Sequence, residues 1–207
     1  MPPELNPTDV RAAAESAFGG IRSEFEQLVR IPSVSAPGFD AREVRRSAKA
    51  TAEWLESSGL QGVRLLEIAG ANPAVFGATP GPPGSPTVLL YAHHDVQPPG
   101  PEELWESPAF EPTERVGRLF GRGTADDKAG IAVHAAALQA WEGKPPVGVA
   151  VFIEGEEEIA SEHLPQFLGK YGDLLRADAI VLADCSNWTV GQPALTTSLR
   201  GIIDLLS

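Results

Sequence analysis

The run AHHDVQPPG places His93, His94 and Asp95 directly behind an apolar stretch, TVLLYA, residues 87–92. That stretch has the length and hydrophobicity of a strand buried on both faces. Alternate strand residues share a face, so His93 and Asp95 project to one side and His94 to the other. A neutral imidazole is a good Zn²⁺ ligand, and a carboxylate two residues on can orient it. Taken alone, the same tripeptide also suits a solvated loop.

Three further segments carry carboxylates. GRGTADDKAG, residues 121–130, holds the adjacent pair Asp126 and Asp127. The pair can cap a helix, and one carboxylate with two oxygens can also bridge two metals. EGEEEIAS, residues 154–161, packs four carboxylates into five positions behind the apolar run VAVFI. Like charges this close disfavour one another unless a cation is present, although an exposed acidic loop is the plain alternative. Asp184 follows the apolar run AIVLA, where a lone Asp is also a common turn former.

Together, His93, Asp126, Glu158 and Asp184 form a set of imidazole and carboxylate donors, each close behind a strand. Such a set suits two Zn²⁺, Mn²⁺ or Co²⁺ ions. Competing chemistries fit less well. The Gly-rich segment around Lys128 lacks G-x-x-x-x-G-K-[ST], and its paired aspartates would repel a phosphate. No G-x-S-x-G elbow occurs, which disfavours a serine hydrolase. Cys185 has an apolar flank and no evident base, so it reads as an inert thiol.

The elements that position these residues alternate. Helical spacing extends to about Arg30, with Thr8-Asp9 as a possible cap, and again from about Arg42 to Ser58, closed by Gly59. Short strands are expected at 63–68, 73–78, 87–92, 118–121, 147–153 and 179–183, those at 87–92, 147–153 and 179–183 buried. Helices are expected at 127–141 and 161–175, an irregular loop over 95–112, and a strand just starting within ALTTSLRGIIDLLS. This alternation predicts an α/β fold, a three-layer α/β/α arrangement around a mostly parallel or mixed sheet. In such sheets ligands sit at the carboxyl ends of strands, where the four donor segments fall.

The 207 residues carry 16 Lys and Arg against 28 Asp and Glu, a net charge of −12. That balance disfavours nucleic acid and anionic membranes as partners. With 43% hydrophobic and 21% charged residues, the chain is ordinary globular material. A single cysteine excludes an internal disulfide framework. No apolar run reaches membrane-spanning length and no secretory signal is visible, so the expected setting is cytoplasmic.

In YAHHDVQP, GRGTADDKAG, EGEEE and the later Asp184, the sequence resembles the M20 family of dinuclear zinc peptidases. LVRIPSVSAPG near the start is similar to that family's opening. The Val-Gln-Pro after Asp95 and Ser-Leu-Arg-Gly at 198–201 lean toward its carnosinase-like dipeptidase branch. The resemblance implies that His93 and Asp184 are terminal ligands of one metal and that Asp126 bridges. Glu158 would hold the second metal, Asp95 would orient His93, and Glu157 would be the general base. Aligning Ser161 favours Glu157-Glu158 over the competing register, Glu156-Glu157. It also implies a cis peptide at Asp126–Asp127. His94, His134 and His163 are left as structural or surface residues.

Members of that family usually continue into a lid domain, which commonly forms the homodimer, and then complete the catalytic domain with a last histidine ligand. No histidine follows His163. The resemblance therefore implies that residues 1–207 form the N-terminal part of a catalytic domain, with the lid and C-terminal part absent, and that this chain alone is not a competent enzyme. The expected function is metal-dependent hydrolysis of the amide bond of a dipeptide or short peptide. A non-catalytic metal-binding or interaction fragment is the alternative, and an N-acyl amino acid deacylase on the same scaffold is another.

Overall fold

The computed structural model describes residues 7–196 and 198. Its centre is a five-stranded mixed sheet in the order β1-β2-β6-β3-β7. The strands are β1 (Arg64–Leu66), β2 (Ala74–Thr79), β3 (Thr87–His93), β6 (Gly148–Glu154) and β7 (Ala179–Leu182). β6, β3 and β7 run parallel, while β2 pairs antiparallel with both β1 and β6. A separate hairpin joins β4 (Thr113–Arg115) to β5 (Arg118–Phe120). Its turn, Val116-Gly117, has positive φ at both residues (51° and 70°), the geometry that matches strand twist in a two-residue hairpin.

The period-2 alternation of the central strands divides the core. Val75, Val149, Val151 and Ile153 face one side, packed with Ile21, Leu28, Trp54, Leu55, Ile131 and Leu138. These belong to α1 (Pro7–Val29), α2 (Ala41–Ser57) and α3 (Lys128–Ala140). Ala74, Phe76, Ala150 and Phe152 face the other side, packed with Phe167 of α4 (Leu164–Tyr171). The result is the expected three-layer α/β/α arrangement, with a mixed sheet. β6 is buried at all seven positions, which explains its uninterrupted apolar reading.

Helix ends follow local chemistry. Asp40 caps α2 by accepting from Arg42 N. Gly59, at φ 97°, closes it: Leu60 N–H bonds Leu55 O and Gly59 N–H bonds Glu56 O. Asp127 caps α3, accepting from Gly130 N.

Three expectations need correction. Ala179–Ala183 reads as a buried strand, yet β7 is exposed throughout, because it bonds only β3 and no helix among the described residues covers it. The helix expected over 161–175 is confined to Leu164–Tyr171. Ala160 and Ser161 adopt positive φ (64° and 51°) and break the chain away from helix before it, and the helix ends at Gly172. Thr8 and Asp9 lie inside α1 rather than ahead of it. Most of the incipient strand expected within 194–207 lies outside the described residues.

Candidate metal centre

The donor segments converge where the carboxyl ends of β3 and β6 lie side by side. His93 closes β3 opposite Glu154 of β6, and His94 N–H donates to Glu154 O at 2.8 Å. From β6 the chain turns through a single 3-10 turn, Glu157–Ile159, and brings the acidic run over His93. Asp184 arrives two residues after β7, and Asp126 from the loop preceding α3.

His93 Nε2 is the common point. It lies 3.0 Å from Asp126 Oδ1, 3.8 Å from Glu157 Oε2 and 3.9 Å from Asp184 Oδ2. Two groups of donor atoms, each within 4.8 Å of one another, share it: His93 with Glu157 and Asp184, and His93 with Asp126 and Glu158. The resemblance makes Asp126 the bridge between a metal held with His93 and Asp184 and a second held with Glu158; in the structure Asp184 stands beside Glu157, and Asp126 beside Glu158. The Asp126–Asp127 peptide is cis.

The His93 ring is fully buried and its tautomer is set from below. Nδ1 lies 3.0 Å from Asp95 O, which can only accept, so Nδ1 carries the proton. Asp95 Oδ1 lies 3.3 Å from the same nitrogen. Nε2 is thereby the nitrogen that faces the carboxylates, and a bound cation would take the place of its proton. Burial opposes protonation of the ring, but the hydrogen bond and charge of Asp95, then Asp127 and Glu157, outweigh it and raise the pKa to about 10. Asp95 is also buried. Burial works against its charge, but His93 and Ser35 hold its pKa below the usual value.

Burial raises the pKa of both Glu157 and Glu158. His93 opposes this for Glu157, where Asp184 and Glu158 add to it; Gln97 opposes it for Glu158, where Asp126 adds to it. Asp127 is raised to about 7, again first by burial. The carboxylates thus crowd one another. Among the described residues, no lysine or arginine forms an ion pair with Asp126, Glu157, Glu158 or Asp184.

Glu156 goes elsewhere. It is buried, accepting from Asn72 N at 2.7 Å and facing His163 Nδ1 at 2.8 Å. Its neighbours Glu157 and Glu158 are the two that approach His93. His94 turns away from the cluster: Nε2–H donates to Pro73 O, and burial lowers its pKa to about 4. His134 donates to Tyr91 O beneath the sheet.

Several supporting residues carry no signal in sequence spacing. Asp127 is buried and accepts from His93 N and Gly130 N, so it ties β3 to the start of α3. A Cβ at position 130 would lie 2.5 Å from its Oδ1, so the cap requires glycine there. Lys128 is buried, and its Nζ donates to Leu28 O and Ile31 O at the end of α1, a favourable place for a cation. Ser33 and Ser47 both donate to His94 O. Tyr91 O–H donates to the buried Glu154. The IPSVS segment, similar to the family's opening, thus supplies Ser33 here and also Ser35, whose Oγ donates to Asp95 Oδ2.

Comparison with known proteins bears on this geometry. The profile of peptidase family M20/M25/M40 matches residues 89–198. That span holds His93, Asp126, Glu157, Glu158 and Asp184. The chain belongs to this family.

The chain is 36% identical over 184 residues to a cysteinylglycine-S-conjugate dipeptidase of Corynebacterium striatum, covering 87% of this chain and 40% of that protein. It is 28% identical to the Cys-Gly metallodipeptidase of Saccharomyces cerevisiae, covering 86% of this chain and 41% of the relative. The structure of the yeast dipeptidase Dug1p superposes with a TM-score of 0.76 at 25% identity, over 87% of this chain and 41% of that one. Human carnosine dipeptidase 1 gives 0.74 at 26%, over 91% and 42%. The chain thus spans about two fifths of the length of these relatives. Membership in M20 implies bound metal ions, and the donors fit them: one buried imidazole whose Nε2 faces four carboxylates, none of them paired with a lysine or arginine among the described residues.

Proposed function

We propose that this chain carries the metal-binding side of a dipeptidase site, hydrolysing the amide bond of small dipeptides. The observation that carries the reading is the ring of four carboxylates around His93 Nε2, in an M20 chain whose relatives include Cys-Gly dipeptidases. Two ions are proposed, Zn²⁺ first, with Mn²⁺ or Co²⁺ as alternatives. His93, Asp126, Glu158 and Asp184 would hold them. Bound divalent ions supply Lewis-acid polarisation of a carbonyl and lower the pKa of water.

The residues of the chain supply the rest. Asp95 holds the His93 ring so that Nε2 faces the cluster. Glu157 stands 3.8 Å from that nitrogen and is half-exposed to an entering peptide. In this reading it accepts a proton from the attacking water and returns it to the leaving amine. A cytoplasmic setting and a homodimeric full-length form belong to the same proposal.

A second reading is a non-catalytic metal-binding domain, which the same donor cluster around His93 also fits. The test is a panel of Cys-Gly, other dipeptides and N-acyl amino acids, assayed on the full-length form with Zn²⁺, Mn²⁺ or Co²⁺ and with chelator. Chelator-sensitive release of free amino acids from dipeptides supports the dipeptidase. Release from N-acyl substrates alone points to a deacylase. Metal binding without turnover supports the second reading.

A further inference from the structure

The loop after β3 touches the cluster at every second residue. His93 supplies its nitrogen, Asp95 orients that ring, and Gln97, two positions on, reaches across to the acidic run. Gln97 Nε2–H donates to Glu158 Oε2 at 2.7 Å and to Glu158 O at 3.0 Å. Gln97 N–H donates to Glu158 Oε1 at 3.2 Å. From below, Glu158 N–H donates to Asp95 Oδ2 at 3.1 Å. Glu158 is thus held at its backbone nitrogen, its backbone oxygen and both carboxylate oxygens by two residues of one loop.

We infer that Gln97 is a positioning residue that pre-sets Glu158 for metal capture. The inference rests on the metal-binding reading above. Each carboxylate oxygen has more than one lone pair, so an oxygen that accepts from Gln97 keeps capacity for a cation. With these hydrogen bonds in place, Glu158 already stands grouped with His93 and Asp126. A glutamate otherwise gives up considerable rotamer freedom when it is fixed, and that loss weakens a ligand. The three bonds from Gln97 all go to Glu158 rather than to the adjacent Glu157. One of two neighbouring glutamates is therefore anchored as a ligand needs to be, while the other remains beside His93 in the place of a proton carrier.

The experiment is a Co²⁺ titration of the 207-residue chain, followed by calorimetry and by the visible absorption of bound Co²⁺. Glu158→Gln marks the binding step that belongs to Glu158, and Asp184→Asn marks the other. Gln97→Met keeps the length of the side chain and removes its donor, at an exposed position. The expected result is a roughly tenfold to hundredfold weakening of the Glu158 step, the range for groups that support a metal ligand, with the Asp184 step unchanged. A Gln97→Met isotherm that overlays the wild type, or one weakened equally at both steps, overturns the inference. A wild-type chain that takes up no Co²⁺ overturns the metal-binding reading itself and this inference with it.

Discussion

Ser35 Oγ donates a 2.6 Å hydrogen bond to Asp95 Oδ2, which also accepts from Glu158 N. The hydroxyl sits in the segment that follows α1, 60 residues before its partner. It joins the N-terminal helical layer to the carboxylate that orients His93. The isolated bridge between Val34 and Val96 aligns the two segments for it.

Removing this hydroxyl should loosen Asp95 and, through it, both His93 and Glu158. Ser35→Ala is expected to weaken Zn²⁺ binding by roughly tenfold, the low end for groups that support metal ligands. Ser35→Thr, which keeps the donor, should bind close to wild type. Competition against a zinc-sensitive dye reads both.

Glu157 and Glu158 differ in the experiment as they do in their surroundings. In a dipeptidase-active preparation, Glu157→Gln should abolish turnover while metal stays bound, because the amide cannot take the proton from water. Metal content by mass spectrometry, read beside activity, decides it. Loss of metal together with activity would make Glu157 a ligand, as its place near His93 and Asp184 also permits.

His134 gives a pH dependence of its own, outside the donor cluster. Burial lowers its pKa, with the hydrogen bond to Tyr91 O opposing. The unfolded chain therefore binds a proton here at higher pH than the folded one does. Stability from this site is full above the unfolded pKa of about 6.5 and falls as pH drops below it. Urea denaturation at pH 7.5 and pH 5.5 should show wild type losing more stability on acidification than His134→Gln. An equal loss would contradict the assignment.

Much of this architecture was legible because the central strands are strongly marked. VAVFI is buried at every position, and TVLLYA, though only Leu89 and Ala92 in it are fully buried, is packed from both faces, so both apolar runs survive any helix-or-strand ambiguity, and the donors follow them directly. β7 misled for the same reason. Ile180, Val181 and Leu182 have the composition of a buried strand but lie exposed at the end of the sheet. Composition records what a strand could bury, not whether anything among the described residues covers it. The Glu156–Glu157–Glu158 register rested in sequence on the alignment of Ser161 alone, because three identical side chains carry no positional signal of their own. The left-handed turn at Ala160-Ser161 and the contacts of Glu156 with Asn72 and His163 separate them in space. Ser35 and Gln97 were invisible as supporting residues, since their partners lie 60 and 61 positions away, and of Asp127 only the helix cap was legible, not its bond to His93 N 34 positions away.

The central claim is that the carboxylates around His93 Nε2 hold divalent cations. Zn²⁺ calorimetry on the wild-type chain and on His93→Ala, at physiological ionic strength, tests it most directly. The account predicts saturable binding to the wild type, weakened at least about a hundredfold in His93→Ala, because both donor groups share that nitrogen. Equal binding by the two proteins, or none by the wild type, would contradict it.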